Sequence, residues 1–279
     1  MTRPRLFSGP EPLAPKVPEI TAMFWLIKII TTGMGEAMSD FLGQQSVPAA
    51  GAIGIFGIWF GLRLQFRATE YRAPVYWFCV WMVAIFGTMV SDGLRDGAGM
   101  SYSVATVIFS IVTAAVFVRW YRSEKTLSIH SIVTRRREVF YWSAVLATFA
   151  LGTASGDWTA IQLKLGFFPS ALLFGGIIII PGLLWWRGKL NPIAAFWAAY
   201  IVTRPLGASF ADWFGKPHDA TGLGLGDGVA SGLMLIVFFA LVAWVTARKN
   251  DIQEPGEHWH LPHPHLPHGA GLRAQPAEG

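Results

Sequence analysis

The sequence predicts an all-α fold of the polytopic membrane class, with eight transmembrane helices set as four parallel two-helix repeats around a central axis. Three observations predict it. Of the 279 residues, 53% are hydrophobic and only 14% charged, whereas a soluble domain carries about a quarter charged residues. The apolar residues fall into eight runs, at about 20–41, 49–66, 75–94, 104–120, 139–157, 170–186, 193–214 and 228–245. Each approaches the roughly 20 residues that a bilayer crossing needs. Finally, one stretch is written four times. FWLIKIITTGMGEAMSD ends at Asp40, YWFCVWMVAIFGTMVSD at Asp92, YWSAVLATFALGTASGD at Asp157 and FWAAYIVTRPLGASFAD at Asp212.

Every copy opens with an aromatic residue and a tryptophan, at Trp25, Trp77, Trp142 and Trp197. A glycine stands five residues before each aspartate, at Gly35, Gly87, Gly152 and Gly207. A frame of fixed spacing in four places is a strong repeat signal. Each copy holds two spans, so each motif helix crosses in the same direction, and the copies are related by axes along the membrane normal. The chain divides into a leader, 1–17, a membrane domain, 18–245, and a tail, 249–279. The repeats cover about 18–67, 72–121, 137–187 and 192–248.

Taken in order, the proline-rich leader reads as disordered, and helix 1 is expected to begin near Pro18. Its residues Lys28, Thr32, Glu36 and Asp40 recur every four positions and so share one face. Ionisable groups in a membrane normally face the bundle interior. Helix 2 carries Gly51, Gly54, Gly57 and Gly61, a face suited to close helix approach. Helix 3 repeats the stripe as Val80, Ala84, Thr88 and Asp92, and a glycine-rich turn is expected over 93–99. Helix 4 is plainly aliphatic, and 121–138 is a basic connection between the halves. Helix 5 gives Val145, Phe149, Thr153 and Asp157, and Pro181 predicts a kink in helix 6. Helix 7 gives Tyr200, Arg204, Ala208 and Asp212, and helix 8 opens near Asp227.

Basic residues concentrate before helix 1, after helices 6 and 8, and in the connections 2–3 and 4–5. The opposite connections hold only Arg95, Lys164 and Lys216. The positive-inside rule then places both termini in the cytoplasm. The net charge of +5 belongs to edges beside anionic lipid and not to a nucleic-acid surface. The single cysteine, Cys79, lies inside helix 3 and excludes a disulfide framework within one chain.

The frame of Trp25, Trp77, Trp142 and Trp197 with its linked glycines and aspartates resembles a family of bacterial multispanning proteins. Those proteins have four tandem two-helix repeats, each with a characteristic tryptophan, and are known as uncharacterised membrane-anchored proteins. The likeness runs from about Pro18 to Val245. It implies the architecture and carries no activity.

With the motif helices at the centre, Asp40, Asp92, Asp157 and Asp212 form a carboxylate ring. Glu36, Thr88 and Thr153 lie one turn inward. Charged rings set selectivity in cation channels, and the competing reading is that each aspartate ties its own helix end to a neighbour. Lys28, Glu36 and Arg204 are the strongly charged residues inside the spans. With copies one and four adjacent, Glu36 meets Arg204, either as a static neutralising pair or as a relay opened by protonation. In the tail, His258, His260, His263, His265 and His268 are spaced for metal capture, and imidazole suits zinc, nickel or copper. No Ser-His-Asp set, phosphate loop, CxxC or HExxH is present, so no enzyme is expected.

These residues point to a transporter or channel-like protein for cations, a divalent metal or a proton-coupled ion, with the bilayer as partner and no required cofactor. The divalent ions in view are zinc, nickel, copper and manganese. The alternative is a non-catalytic scaffold or metal sensor that works through its basic loops and tail. A polar path along the centre separates the first from the second.

Overall fold

A computed structural model describes residues 14–253. These residues form eight α-helices: α1 (Ala22–Gln45), α2 (Val47–Arg67), α3 (Ala73–Ala98), α4 (Tyr102–Glu124), α5 (Arg135–Asp157), α6 (Phe167–Trp186), α7 (Pro192–Gly215) and α8 (Asp227–Arg248). Local chemistry sets their starts. Thr21, Ser46, Ser101, Thr134 and Asn191 each accept a hydrogen bond from a first-turn amide, which satisfies one of the orphan donors there. Helix 1 therefore begins at Ala22, after the Thr21 cap, and not at Pro18. Helix α3 continues through the glycine-rich stretch to Ala98, where Gly99 turns out at φ +63°. Arg95 and Asp96 thus sit on a helix and not in a turn. Pro181 lies within a helix that runs on to Trp186.

The odd-numbered helices form a closed cycle, in which α1 packs on α3, α3 on α5, α5 on α7 and α7 on α1. Each even-numbered helix lies mainly against the next copy and not its own hairpin partner. Thus α2 packs on α3, α4 on α5, α6 on α7, and α8 returns to α1.

The repeated residues make this cycle. The glycine of each copy faces the residue eight places before the aspartate of the next. Gly35 abuts Ala84, Gly87 abuts Phe149, Gly152 abuts Arg204, and Gly207 abuts Thr32. A Cβ at any of the four would overlap that neighbour. Glycine is required here by close approach and not by backbone angle.

At the other end of the helices the aromatic dipeptides interlock in the same sense. Phe24 meets Trp77 at 5.7 Å between ring centroids, Tyr76 meets Trp142 at 5.6 Å, Tyr141 meets Trp197 at 6.1 Å, and Phe196 meets Trp25 at 5.7 Å. Both elements of the written frame are thus contacts between one copy and the next. The glycine face of α2 seats methionines of α3, with Gly54 on Met89 and Gly57 on Met82. Cys79 is buried beside them at Gly61.

Six helices are long and apolar enough to cross a membrane: α2, α3, α4, α5 with its π-helical extension to Gln162, α6 and α8. The other two, α1 and α7, carry Lys28, Glu36, Asp40, Arg204 and Asp212. The protein is accordingly a helical, membrane-like repeat protein in which the two most polar helices are neighbours in the central cycle.

Two expected boundaries shift. Lys16 and Val17 of the leader are buried, as are Asp251 and Gln253 of the tail. The Glu19 amide donates to the Asp251 carbonyl at 2.8 Å, Gln253 donates to the Pro18 carbonyl at 3.2 Å, and Tyr71 donates to Asp251 at 2.6 Å. These bonds tie the two segments together beneath the aromatic end of the cycle.

Candidate functional site

Counting back from each aspartate in steps of four gives five levels, because residues one helical turn apart share a face. The outermost is Asp40, Asp92, Asp157 and Asp212. Beneath it lie Glu36, Thr88, Thr153 and Ala208, followed by Thr32, Ala84, Phe149 and Arg204, and then Lys28, Val80, Val145 and Tyr200. The last is Phe24, Tyr76, Tyr141 and Phe196. All sixteen residues below the aspartates are buried, and the column spans roughly 24 Å of helix.

The second and third levels are joined by one side chain. Arg204 of α7 reaches the three other motif helices. Its Nη1 donates to the Thr32 carbonyl at 3.0 Å, and its Nη2 pairs with Glu36 Oε2 at 2.5 Å. The same nitrogen donates to Thr153 Oγ1 at 2.8 Å and to Thr88 Oγ1. Thr88 and Thr153 in turn donate to Glu36 Oε2, at 3.0 and 3.1 Å. The guanidinium is fully buried and the carboxylate only 3% exposed. Burial of this kind is tolerated when the pair is also hydrogen-bonded.

Lys28 does not join that pair. Its Nζ lies 4.2 Å from the ring centroid of Phe149 and 4.1 Å from that of Tyr200, with no hydrogen-bond acceptor among the described residues. Among the described residues, the two ring faces supply the close stabilisation of an ammonium there, a contact of about 2 kcal/mol when desolvated. The stripe correctly sets Lys28 inward, but its partners are aromatic. Beyond it, the Tyr76 and Tyr141 hydroxyls share a hydrogen bond of 2.6 Å.

At the outer end, Asp40 and Asp212 stand with Glu36 so that one carboxylate oxygen of each lies within 4.8 Å of the others. Asp92 and Asp157, on the same level, are half-buried and lie outside that trio. Lys216, one turn beyond Asp212, extends into this group. It pairs with Asp40, lies 3.2 Å from Asp227 and is 3.9 Å from Asp212. Burial disfavours its charge, but Asp40, Asp212 and Asp227 outweigh that and hold its pKa above the ordinary lysine value. Gln44 donates to Asp227 at 2.6 Å. Lys216 and Asp227 are members that the four-fold frame conceals, since neither has a counterpart in the other copies. The spacing of Lys216 four residues after Asp212 is the signal that points to it.

At the opposite end a second buried cluster closes the column. Lys16 Nζ meets Glu138 Oε1 at 2.6 Å, and Arg135 meets Glu138 Oε2 at 2.8 Å. Burial lowers the Lys16 pKa from its usual value, with Glu138 opposing the shift. Sequence reading misses this cluster because its members lie outside the repeated frame. Of the four motif tryptophans, Trp77, Trp142 and Trp197 are buried and Trp25 is half-buried, and Trp197 Nε1 donates to the Leu127 carbonyl at 2.9 Å. The histidines His258, His260, His263, His265 and His268 lie outside the described residues.

An interlocked helical repeat with charged groups along its axis defines a membrane-like repeat protein. The chain belongs to the family described as Repeat of Unknown Function (DUF347), whose model matches residues 75–126, 140–190 and 195–250, more than half of the sequence. Copies two to four fall in those ranges. Copy one takes the remaining place in the cycle, through Gly35 on Ala84 and Gly207 on Thr32. No curated protein and no solved structure matches the chain.

Proposed function

We propose that this protein spans a bacterial inner membrane eight times, as four parallel hairpins with both termini cytoplasmic, and handles cations along its central axis. The observation that carries the reading is the column itself. Titratable or hydroxyl groups occupy every level from the carboxylates to Lys28 and the tyrosines, inside helices whose outer faces are apolar. Such groups are costly in a membrane and mark ion and proton pathways. The carboxylate end is the mouth, where Asp40, Asp212 and Glu36 would receive a proton or a divalent metal ion in exchange for Lys216. The Glu36–Arg204 pair is the barrier. A fixed guanidinium across the axis repels a passing cation, so movement requires Arg204 to swing away, and protonation of Glu36 is the event that frees it. No covalent chemistry is assigned to any residue, and no bound cofactor is needed.

A second reading rests on the same guanidinium. Since Arg204 closes the axis, a scaffold or metal sensor that moves nothing would present the same side chains. Proteoliposomes separate the two. The transport reading expects flux of protons, or of zinc, nickel, copper or manganese, under an imposed proton gradient, with loss in Asp40→Asn and Asp212→Asn proteins. Folded protein that passes none of these ions would overturn it in favour of the scaffold.

A further inference from the structure

We propose that a cleft between α4 and α7 is a binding site for one anionic phospholipid. The proposal rests on the membrane placement given above. The cleft measures about 870 Å³, within the range of ordinary ligand pockets. It exists because α4 packs on α5 while α6 covers the other flank of α7. Phe117 of α4 and Ile193, Trp197 and Ile201 of α7 make its walls. Near its mouth α4 continues outward through Val118 and Tyr121, both exposed, so the cleft opens onto an apolar face that only lipid would cover.

The rim lies at the tryptophan end, on the side of the basic connections, and Lys125 is its charge. This residue caps α4 in the left-handed conformation, is exposed, and makes no ion pair among the described residues. The adjacent carboxylate does not neutralise it, because Glu124 is taken by Arg136 at 3.1 Å and Arg137 at 3.0 Å. An apolar slot with an unneutralised ammonium at the interface matches an acyl chain and a phosphate, and basic pockets between membrane helices bind such headgroups. A second cleft of about 450 Å³ flanks the other side of the same turns of α7 and shares Pro192 and Phe196. A ridge between two apolar slots suits a two-chained lipid better than a single-chain fatty acid.

The test is native mass spectrometry of full-length protein released from nanodiscs of equal phosphatidylglycerol and phosphatidylcholine. One phosphatidylglycerol per chain is expected to persist after delipidation. Lys125→Gln should weaken that preference about fivefold, the worth of one interfacial charge, and Lys125→Glu more. Ala198→Trp, which fills the cleft, should release the lipid while leaving the melting profile unchanged. Equal retention of both lipids would overturn the inference, as would retention unaffected by Ala198→Trp. Competition by millimolar inorganic phosphate alone would do the same, by showing a headgroup site without a chain site. Flotation with vesicles runs alongside. Protein that fails to float sinks the membrane placement, whereas protein that floats without lipid preference sinks only this site.

Discussion

At the scale of residues, Lys28, Glu36 and Arg204 are buried in the middle levels of the column and have different partners. Glu36 and Arg204 hold each other, and Thr88 and Thr153 hold both. Removing one partner leaves the other buried and unpaired, which costs about 3–5 kcal/mol. Glu36→Gln and Arg204→Gln should therefore each lower the melting temperature and the yield of folded protein, while the double substitution recovers much of the loss. Simple addition of the two effects would show that the residues are uncoupled. In flux measurements, a relay predicts a double mutant that folds and fails to move its cation. The glycines make a separate prediction. Gly87→Ala drives a methyl into Phe149 and the Ala150 amide, and overpacking of this kind costs about 1–3 kcal/mol. Gly176→Ala in α6 meets nothing within 4 Å and should gain up to about 1 kcal/mol from helix propensity. Thermal denaturation in detergent reads both, and equal effects would contradict the close-approach argument.

At the scale of elements, each plain helix supports the copy that follows it. The four hairpins are therefore not independent units, and closure of α8 on α1 completes the cycle. The contact of α2 with α3 is directly testable. A Cβ at Gly61 would lie 3.5 Å from Met82 Cβ, at the near edge of disulfide geometry. Gly61→Cys with Met82→Cys, in a Cys79→Ala background, should cross-link on mild oxidation. Failure to cross-link in folded protein would place α2 elsewhere. The two copies written with tyrosine, Tyr76 and Tyr141, also share a hydroxyl hydrogen bond. The phenylalanines of the other two cannot make one, which gives the aromatic end a polar side and an apolar side.

At the scale of the whole molecule, polarity runs along the axis while the perimeter is apolar. Exposed Phe56, Trp59, Ile111, Leu172, Ile236 and Phe239 lie on the even helices. Helices α1 and α7 fall short of the apolarity of a lone span because their polar stripes meet inside the cycle. The proposed topology predicts that cysteines at Gly97 and Ser128, again without Cys79, react from opposite sides of intact inverted vesicles. Reaction from one side alone would refute eight crossings.

Much of this was legible in the sequence, because a repeat records its own contacts. Glycine five before aspartate and an aromatic–tryptophan opening are local patterns, and in a cyclic array each pattern has one neighbour to meet. Periodicity of four placed Lys28, Glu36, Arg204 and the aspartates on one face by helix geometry alone. The sequence by itself determined the all-α class, the four copies and which stripe of each motif helix turns inward. Only the tertiary structure decided that α2, α4, α6 and α8 lean on the next copy, that Lys28 lies between two rings, and that Lys216 and Lys16 close the two ends of the column. Those outcomes depend on contacts between residues far apart in the chain, and spacing within one helix carries no information about them.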